Sequence, residues 1–145
     1  MKTSFSHRIS LDGDWALYYT EHHERLQTMA YPTAYTLGES GFPHVAATVP
    51  GNFEIDLERA GALDDVFFGM NPLDAQKREH WHLFYTRTFS VGETGEYTLT
   101  FEGIDTFADI FLNGIQIGSA DNMLISHSFP VRLTQKENEL VVHIK

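Results

Sequence analysis

Four sets of side chains in this sequence have the types and spacing that chemistry uses. Asp64 and Asp65 are adjacent carboxylates that invite reading as an acid/base couple. Such a couple must converge on one substrate atom. Neighbouring residues on a loop rarely do so, and the sequence shows no alternating strand-helix units to hold such a pair. The expectation is therefore a chain without a catalytic pair of its own. His22-His23-Glu24 and His80-Trp81-His82 carry the residue types of a metal site. Adjacent side chains diverge in a strand while those two apart share a face, and neither set has a third ligand at a spacing that a tetrahedral site needs. No metal and no cofactor are expected. Trp81 and Tyr85 fall on one strand face and could stack on a sugar ring, but their alternation with Leu83 reads first as core.

Composition narrows the partners. Twenty acidic against ten basic residues give a formal charge of −10, which repels nucleic acid and anionic lipid alike. A neutral partner such as a sugar fits better. There is no cysteine, so neither a disulfide framework nor a thiolate metal site can form. The N-terminus lacks an apolar signal core and no apolar run approaches membrane-spanning length, so the chain reads as cytoplasmic. At 145 residues and 42% hydrophobic content, it can bury one sizeable core. Residues 1–145 are expected to form a single domain.

The elements that would position these groups are mostly strands. Residues 9–19 alternate, with Ile9, Leu11, Trp15, Leu17 and Tyr19 on one side and a turn at Asp12-Gly13-Asp14. Residues 20–41 are polar and read as an irregular excursion. Residues 45–49 form a short strand ending at Pro50-Gly51. Asn52 can cap a helix over residues 53–60, with Glu54 and Asp56 at its positive end and Gly61 after it. Residues 81–89 alternate Trp81, Leu83, Tyr85, Arg87 and Phe89 against His82, Phe84, Thr86 and Thr88, and residues 96–102 turn Tyr97, Leu99 and Phe101 inward. Asn113-Gly114 is the preferred pair for a two-residue type I′ turn. That turn pairs Leu112 with Ile115 and Ile110 with Ile117, leaving Asp109, Phe111, Gln116 and Gly118 on the other face. The last seven residues place Leu140, Val142 and Ile144 on one face, opposite Glu139, Val141, His143 and Lys145. This strand pattern runs to Lys145 without a turn, so the chain is expected to be part of a longer polypeptide. Missing strands would leave an unpaired sheet edge, through which a two-fold homodimer could form. Many short strands with one brief helix predict an all-β, antiparallel β-sandwich, most simply a jelly roll.

Five segments then carry a resemblance. Leu11-Asp-Gly-Asp-Trp15, Val49-Pro-Gly51, Tyr85-Thr-Arg-Thr-Phe89, Phe101-Glu-Gly-Ile-Asp-Thr-Phe-Ala-Asp-Ile-Phe-Leu-Asn-Gly114 with Ser119-Ala-Asp-Asn-Met123, and Glu137-Asn-Glu-Leu-Val141 occur in order along nearly the whole chain. Together they resemble the N-terminal domain of glycoside hydrolase family 2 enzymes, in particular the β-mannosidase branch. The last segment has Lys136 where the family usually has glycine. The resemblance implies a galactose-binding-like jelly roll with one short helix, packed on a catalytic barrel that lies outside this chain. In the family that barrel supplies two glutamates for a retaining mechanism, a geometry in which the carboxyl groups stand about 5–5.5 Å apart.

The resemblance also names a site. Asp65-Val-Phe-Phe-Gly-Met-Asn71 resembles a family loop, with Val66 in place of proline, Phe68 of tyrosine and Met70 of aspartate. In the family its asparagine reaches the sugar in the barrel, so the resemblance implies that Asn71, with Phe68 and Asp65 beside it, binds substrate. An amide can donate to and accept from vicinal hydroxyls. Asn71 could equally cap a turn before Pro72. Asp121-Asn122 matches a family segment, and a simple turn explains it as well. Two functions stay open: a non-catalytic carbohydrate-binding domain of a β-mannosidase-like glycosidase, or a free-standing carbohydrate-binding or protein-interaction module on the same plan.

Overall fold

Alternating apolar residues and turn signals build eight strands and two short helices in the computed structural model, which describes residues 8–20, 29–51, 53–61, 81–104, 107–122 and 124–145. In chain order these are β1 (Gly13–Thr20), α1 (Ala34–Glu39), β2 (His44–Val49), α2 (Phe53–Arg59), β3 (His82–Ser90), β4 (Gly95–Phe101), β5 (Ala108–Leu112), β6 (Ile115–Ala120), β7 (His127–Leu133) and β8 (Glu137–Ile144). Every pairing is antiparallel. One sheet has six strands in the order β2-β1-β3-β8-β5-β6, and the other holds β4 and β7. Between them lies the main core. Trp15, Leu17, Leu83, Ile110, Leu140 and Val142 come from the large sheet, and Tyr97, Leu99, Phe101, Phe129 and Val131 pack on them from the small one. This is the expected all-β sandwich. Among the described residues no helix is long and apolar enough to cross a membrane.

The large sheet is covered on both faces, which the sequence pattern did not anticipate. Phe84, Phe111 and Val141 point away from the main core and are buried in a second cluster with Met29, Leu37 and Phe42. The covering residues come from the stretch expected to be irregular. It contains α1, the helix missed in the sequence, so the expected single helix becomes two. Thr33 caps α1 by accepting from the Thr36 backbone N–H at 3.0 Å, while the Thr33 N–H donates to the Thr36 hydroxyl at 2.8 Å. This is a capping box with threonine where Glu or Gln is usual. The Ala34 N–H donates to Glu139 Oε1 on β8 at 2.7 Å. A six-residue helix is not stable alone, and Leu37 anchors it by full burial.

β8 is an interior strand, bonded to β3 on one side and β5 on the other. Val141 and His143 are therefore buried rather than solvent-facing as the half-buried pattern implied. The outer strands of the large sheet are β2 and β6, so the last strand presents no unpaired edge of its own.

The β5–β6 hairpin turns at Asn113 (φ 51°) and Gly114 (φ 82°) as expected. Leu112 pairs with Ile115, but a bulge then shifts the register and Ile110 faces Gly118 rather than Ile117. Gly118 consequently turns toward the small sheet, where a β-carbon would stand 2.2 Å from the Phe129 ring. Ile110, Leu112 and Ile117 still pack on the main core as expected, whereas Ile115 is exposed and Phe111, on the opposite face, is buried in the second cluster.

Four of the five family-like segments form joints between elements. Arg87 on β3 donates through Nη1 to the carbonyls of Leu11 and Asp12, both at 2.8 Å, and Trp15 Nε1 donates to the Leu11 carbonyl at 2.6 Å. Asn113 donates to Asn138 Oδ1 at 3.0 Å and accepts from the Glu139 N–H at 2.8 Å, tying the hairpin turn to β8. Buried Asn138 in turn donates to the Gln135 carbonyl at 2.9 Å. Arg87→Ala removes a charged donor from two carbonyls, and we expect it to destabilise the domain by about 1.5–3 kcal/mol in denaturant unfolding. Loss below about 0.5 kcal/mol would mean that water replaces the guanidinium without cost.

Candidate carbohydrate-binding site

Asp65, Phe68 and Asn71, the residues that the sequence singled out for substrate, lie outside the described residues, as do Asp64, His22, His23, Glu24 and His80. What the structure places is the frame on either side of them. α2 precedes that loop and β3 follows it. The two are joined by aromatic contact: the Phe53 ring lies 6.5 Å from Trp81, and Tyr19 of β1 stacks on Trp81 at 5.4 Å with an interplanar angle of 6°. Trp81 and Tyr85 both pack against the main core, in line with the core reading. The Trp81 indole N–H is nevertheless buried without a hydrogen-bond partner among the described residues. Burial also raises the Tyr19 phenol above its usual pKa.

The base of α2 is held by a carboxylate that sequence reasoning had assigned only to the helix's positive end. Asp56 is buried and accepts from the Thr48 backbone N–H at 3.3 Å, with Arg59 Nη1 3.9 Å away. Its other oxygen, Oδ2, has no partner among the described residues. Burial raises its pKa, against the lowering effects of the Thr48 bond and the Arg59 charge. A buried polar position on an otherwise amphipathic helix was the available signal. Just before α2 the Val49–Pro50 peptide is cis, and a β-carbon on Gly51 would lie 2.2 Å from the Thr48 carbonyl oxygen. No side chain fits there, which accounts for the glycine of Val49-Pro-Gly51.

His82 is paired with a second histidine. Its Nδ1 lies 3.0 Å from His143 Nε2, one imidazole donating to the other, and His143 stacks on Phe84 at 4.1 Å. Among the described residues no three His, Cys, Asp or Glu side chains are grouped to hold a metal ion. His143 is lowered to about 4 by burial first, then by the His82 and Lys145 charges, against the opposing pull of Asp109. Asp109 itself bonds Lys145 Nζ at 2.6 Å and the Ser119 hydroxyl at 2.8 Å. Burial pushes its carboxyl up, but those two bonds and the nearby positive charge hold it below the usual value. Asn122 accepts from the Leu124 N–H at 2.8 Å, an ordinary turn. The perturbed carboxylates, Asp56 and Asp109, are thus each bound into the scaffold, and neither is paired with the other for acid/base work.

The chain matches the family model of the glycosyl hydrolase 2 galactose-binding domain-like domain over residues 20–145. A β-D-mannosidase from Dictyoglomus thermophilum superposes with a TM-score of 0.72 at 34% identity, over 94% of this chain and 15% of that one. β-Mannosidase B of Thermothelomyces thermophilus is 36% identical over 98 residues, which are 64% of this chain and 12% of that relative. The β-mannosidase of Mus musculus is 29% identical over 102 residues, 68% of this chain and 12% of the relative. A β-glucuronidase from Ruminococcus gnavus, at 18% identity and a TM-score of 0.63, shares the fold. The chain therefore spans between a tenth and a sixth of the length of these β-mannosidases, and it belongs to the galactose-binding-like N-terminal domain family of glycoside hydrolase family 2.

Proposed function

We propose that this chain is the non-catalytic carbohydrate-binding domain of a retaining, β-mannosidase-like glycosidase, and that it completes the substrate pocket of a catalytic barrel. The observation that carries this reading is the 34% identity to a β-D-mannosidase across 94% of the chain, with a shared fold. The joints at Arg87, Asn113 and Asn138 agree with it by giving these family-like segments scaffold roles, and on this reading Asp65, Phe68 and Asn71 are the residues that meet the sugar. The substrate on this reading is a β-mannoside, bound where the domain and the barrel meet, and neither partner alone holds all the contacts.

It follows that the isolated chain hydrolyses no glycoside and binds mannose only at millimolar level, because contacts that converge in the assembled pocket are incomplete here. Nitrophenyl-β-mannoside turnover and titration calorimetry on the purified chain check both points. Turnover abolished by a single substitution in this chain, or micromolar binding of mannose, would overturn the reading in favour of an autonomous module.

A further inference from the structure

α2 is tied to the large sheet by polar side chains. Asp56 Oδ1 accepts from the backbone N–H of Thr48 on β2 at 3.3 Å, and Arg59 Nη1 donates to the Thr48 hydroxyl at 3.3 Å. β2 is an outer strand of that sheet, so the two bonds clamp the helix to its edge. The clamp uses a carboxylate in an unfavourable place. Asp56 is 2% exposed and its Oδ2 has no hydrogen-bond partner among the described residues. The Arg59 guanidinium stands 3.9 Å away on a largely exposed side chain. A buried carboxylate so weakly compensated loses more in desolvation than it regains, and an apolar residue in its place is often neutral or stabilising.

What the carboxylate adds is direction. Fully buried Leu57 holds α2 against the sandwich, but apolar burial is non-directional and fixes neither rotation nor register. A hydrogen bond to one particular N–H fixes both. That placement bears on both ends of residues 62–80. Gly61, with φ 76°, leads out of α2 into them. Phe53, at the start of α2, lies 6.5 Å from Trp81, the residue on which they arrive. Tyr19 stacks on the same indole at 5.4 Å. The ring is thus held by β1 and α2 together, and it senses a displacement of the helix.

We propose that Asp56 is a positioning residue for the substrate-binding segment: by fixing α2 on the edge of β2, it sets where residues 62–80 leave α2 and where they enter β3. This rests on the proposed function, in which Asp65, Phe68 and Asn71 meet the sugar. Asp56 acts through the helix and does not touch the sugar.

The test compares Asp56→Ala with Asp56→Asn in the whole chain by NMR. Asparagine keeps an acceptor for the Thr48 N–H, and alanine does not. Asp56→Ala should move the Trp81 indole N–H resonance, while that of Trp15, bonded to the Leu11 carbonyl, stays in place as the internal reference. It should also weaken mannose binding, followed at the Asn71 amide, by about threefold to tenfold. A merely structural tie would lower stability without changing the affinity of the folded protein. Asp56→Asn should match the wild type in both readouts. Should Asp56→Ala fail to fold, Arg59→Ala, which cuts the second tie from an exposed side chain, carries the same comparison. An unmoved Trp81 resonance or an unchanged mannose affinity would overturn the proposal, as would Asp56→Asn losing as much as the alanine variant. A moved resonance with no saturable mannose shift even in the wild-type chain would overturn the proposed function as well, and leave Asp56 a tie within the scaffold.

Discussion

Phe84→Ala is expected to destabilise the domain by about 3–5 kcal/mol, the range for truncating a fully buried phenylalanine. Phe84 is 0% exposed, stacks on His143 at 4.1 Å and lies 6.0 Å from the Phe42 ring. It is the residue through which the α1 stretch is anchored to the centre of the large sheet. Removing the ring opens a cavity between β3, β8 and the segment above them, and neighbours held by two hydrogen-bonded sheet partners cannot collapse into it. The urea midpoint should fall with little change in slope. A loss below about 1 kcal/mol would show that the second cluster is loosely packed.

Acid should destabilise the domain through His143 before most carboxylates titrate. In the native state burial holds His143 at about 4, whereas in the unfolded chain an imidazole takes up its proton near the ordinary value of about 6.5. The stabilising effect of keeping it neutral is complete above about pH 6.5 and is lost as pH falls from there toward 4. The total is on the order of 3 kcal/mol. Asp109, held low by Lys145 and Ser119, adds to the loss only below its ordinary carboxylate range. Asp56, raised by burial, acts in the opposite direction. His143→Leu should therefore flatten the stability profile between pH 6.5 and 4 while lowering stability at neutral pH by the loss of the His82 contact. An unchanged slope in that window would mean that His143 is protonated in the native state and that its neighbours rearrange to accept the charge.

Sequence patterns carried the core face of β1, β3, β4 and β8 and missed β7 and the elements that depend on distant partners. The inward set Tyr97, Leu99 and Phe101 and the Asn113-Gly114 turn follow from local rules, alternation and positive φ, and both stand in the structure. α1 could not be read in this way, because its cap uses Thr36 in place of an acid and its first N–H is satisfied by Glu139, 105 residues away. Phe84, Phe111 and Val141 looked solvent-facing because alternation marks one face as core; it cannot report that a loop returns to cover the other. The hairpin register slipped for a related reason. Nothing local to residues 115–118 announces a bulge, whereas the Phe129 ring above Gly118 demands a glycine at that point. Of the site, the sequence singled out Asp65, Phe68 and Asn71 through family likeness alone. Asp56 was visible only as a polar residue, since its burial arises from the packing of α2 on β2.

Whether this domain reaches a sugar is tested most directly by Asn71→Ala in the proposed β-mannosidase-like glycosidase. Loss of one amide contact to a substrate hydroxyl predicts a fall in kcat/KM of roughly 1–3 kcal/mol, or about 5- to 150-fold, with the thermal unfolding of the enzyme unchanged. Wild-type kinetics from that variant would contradict the account and assign Asn71 to the turn before Pro72.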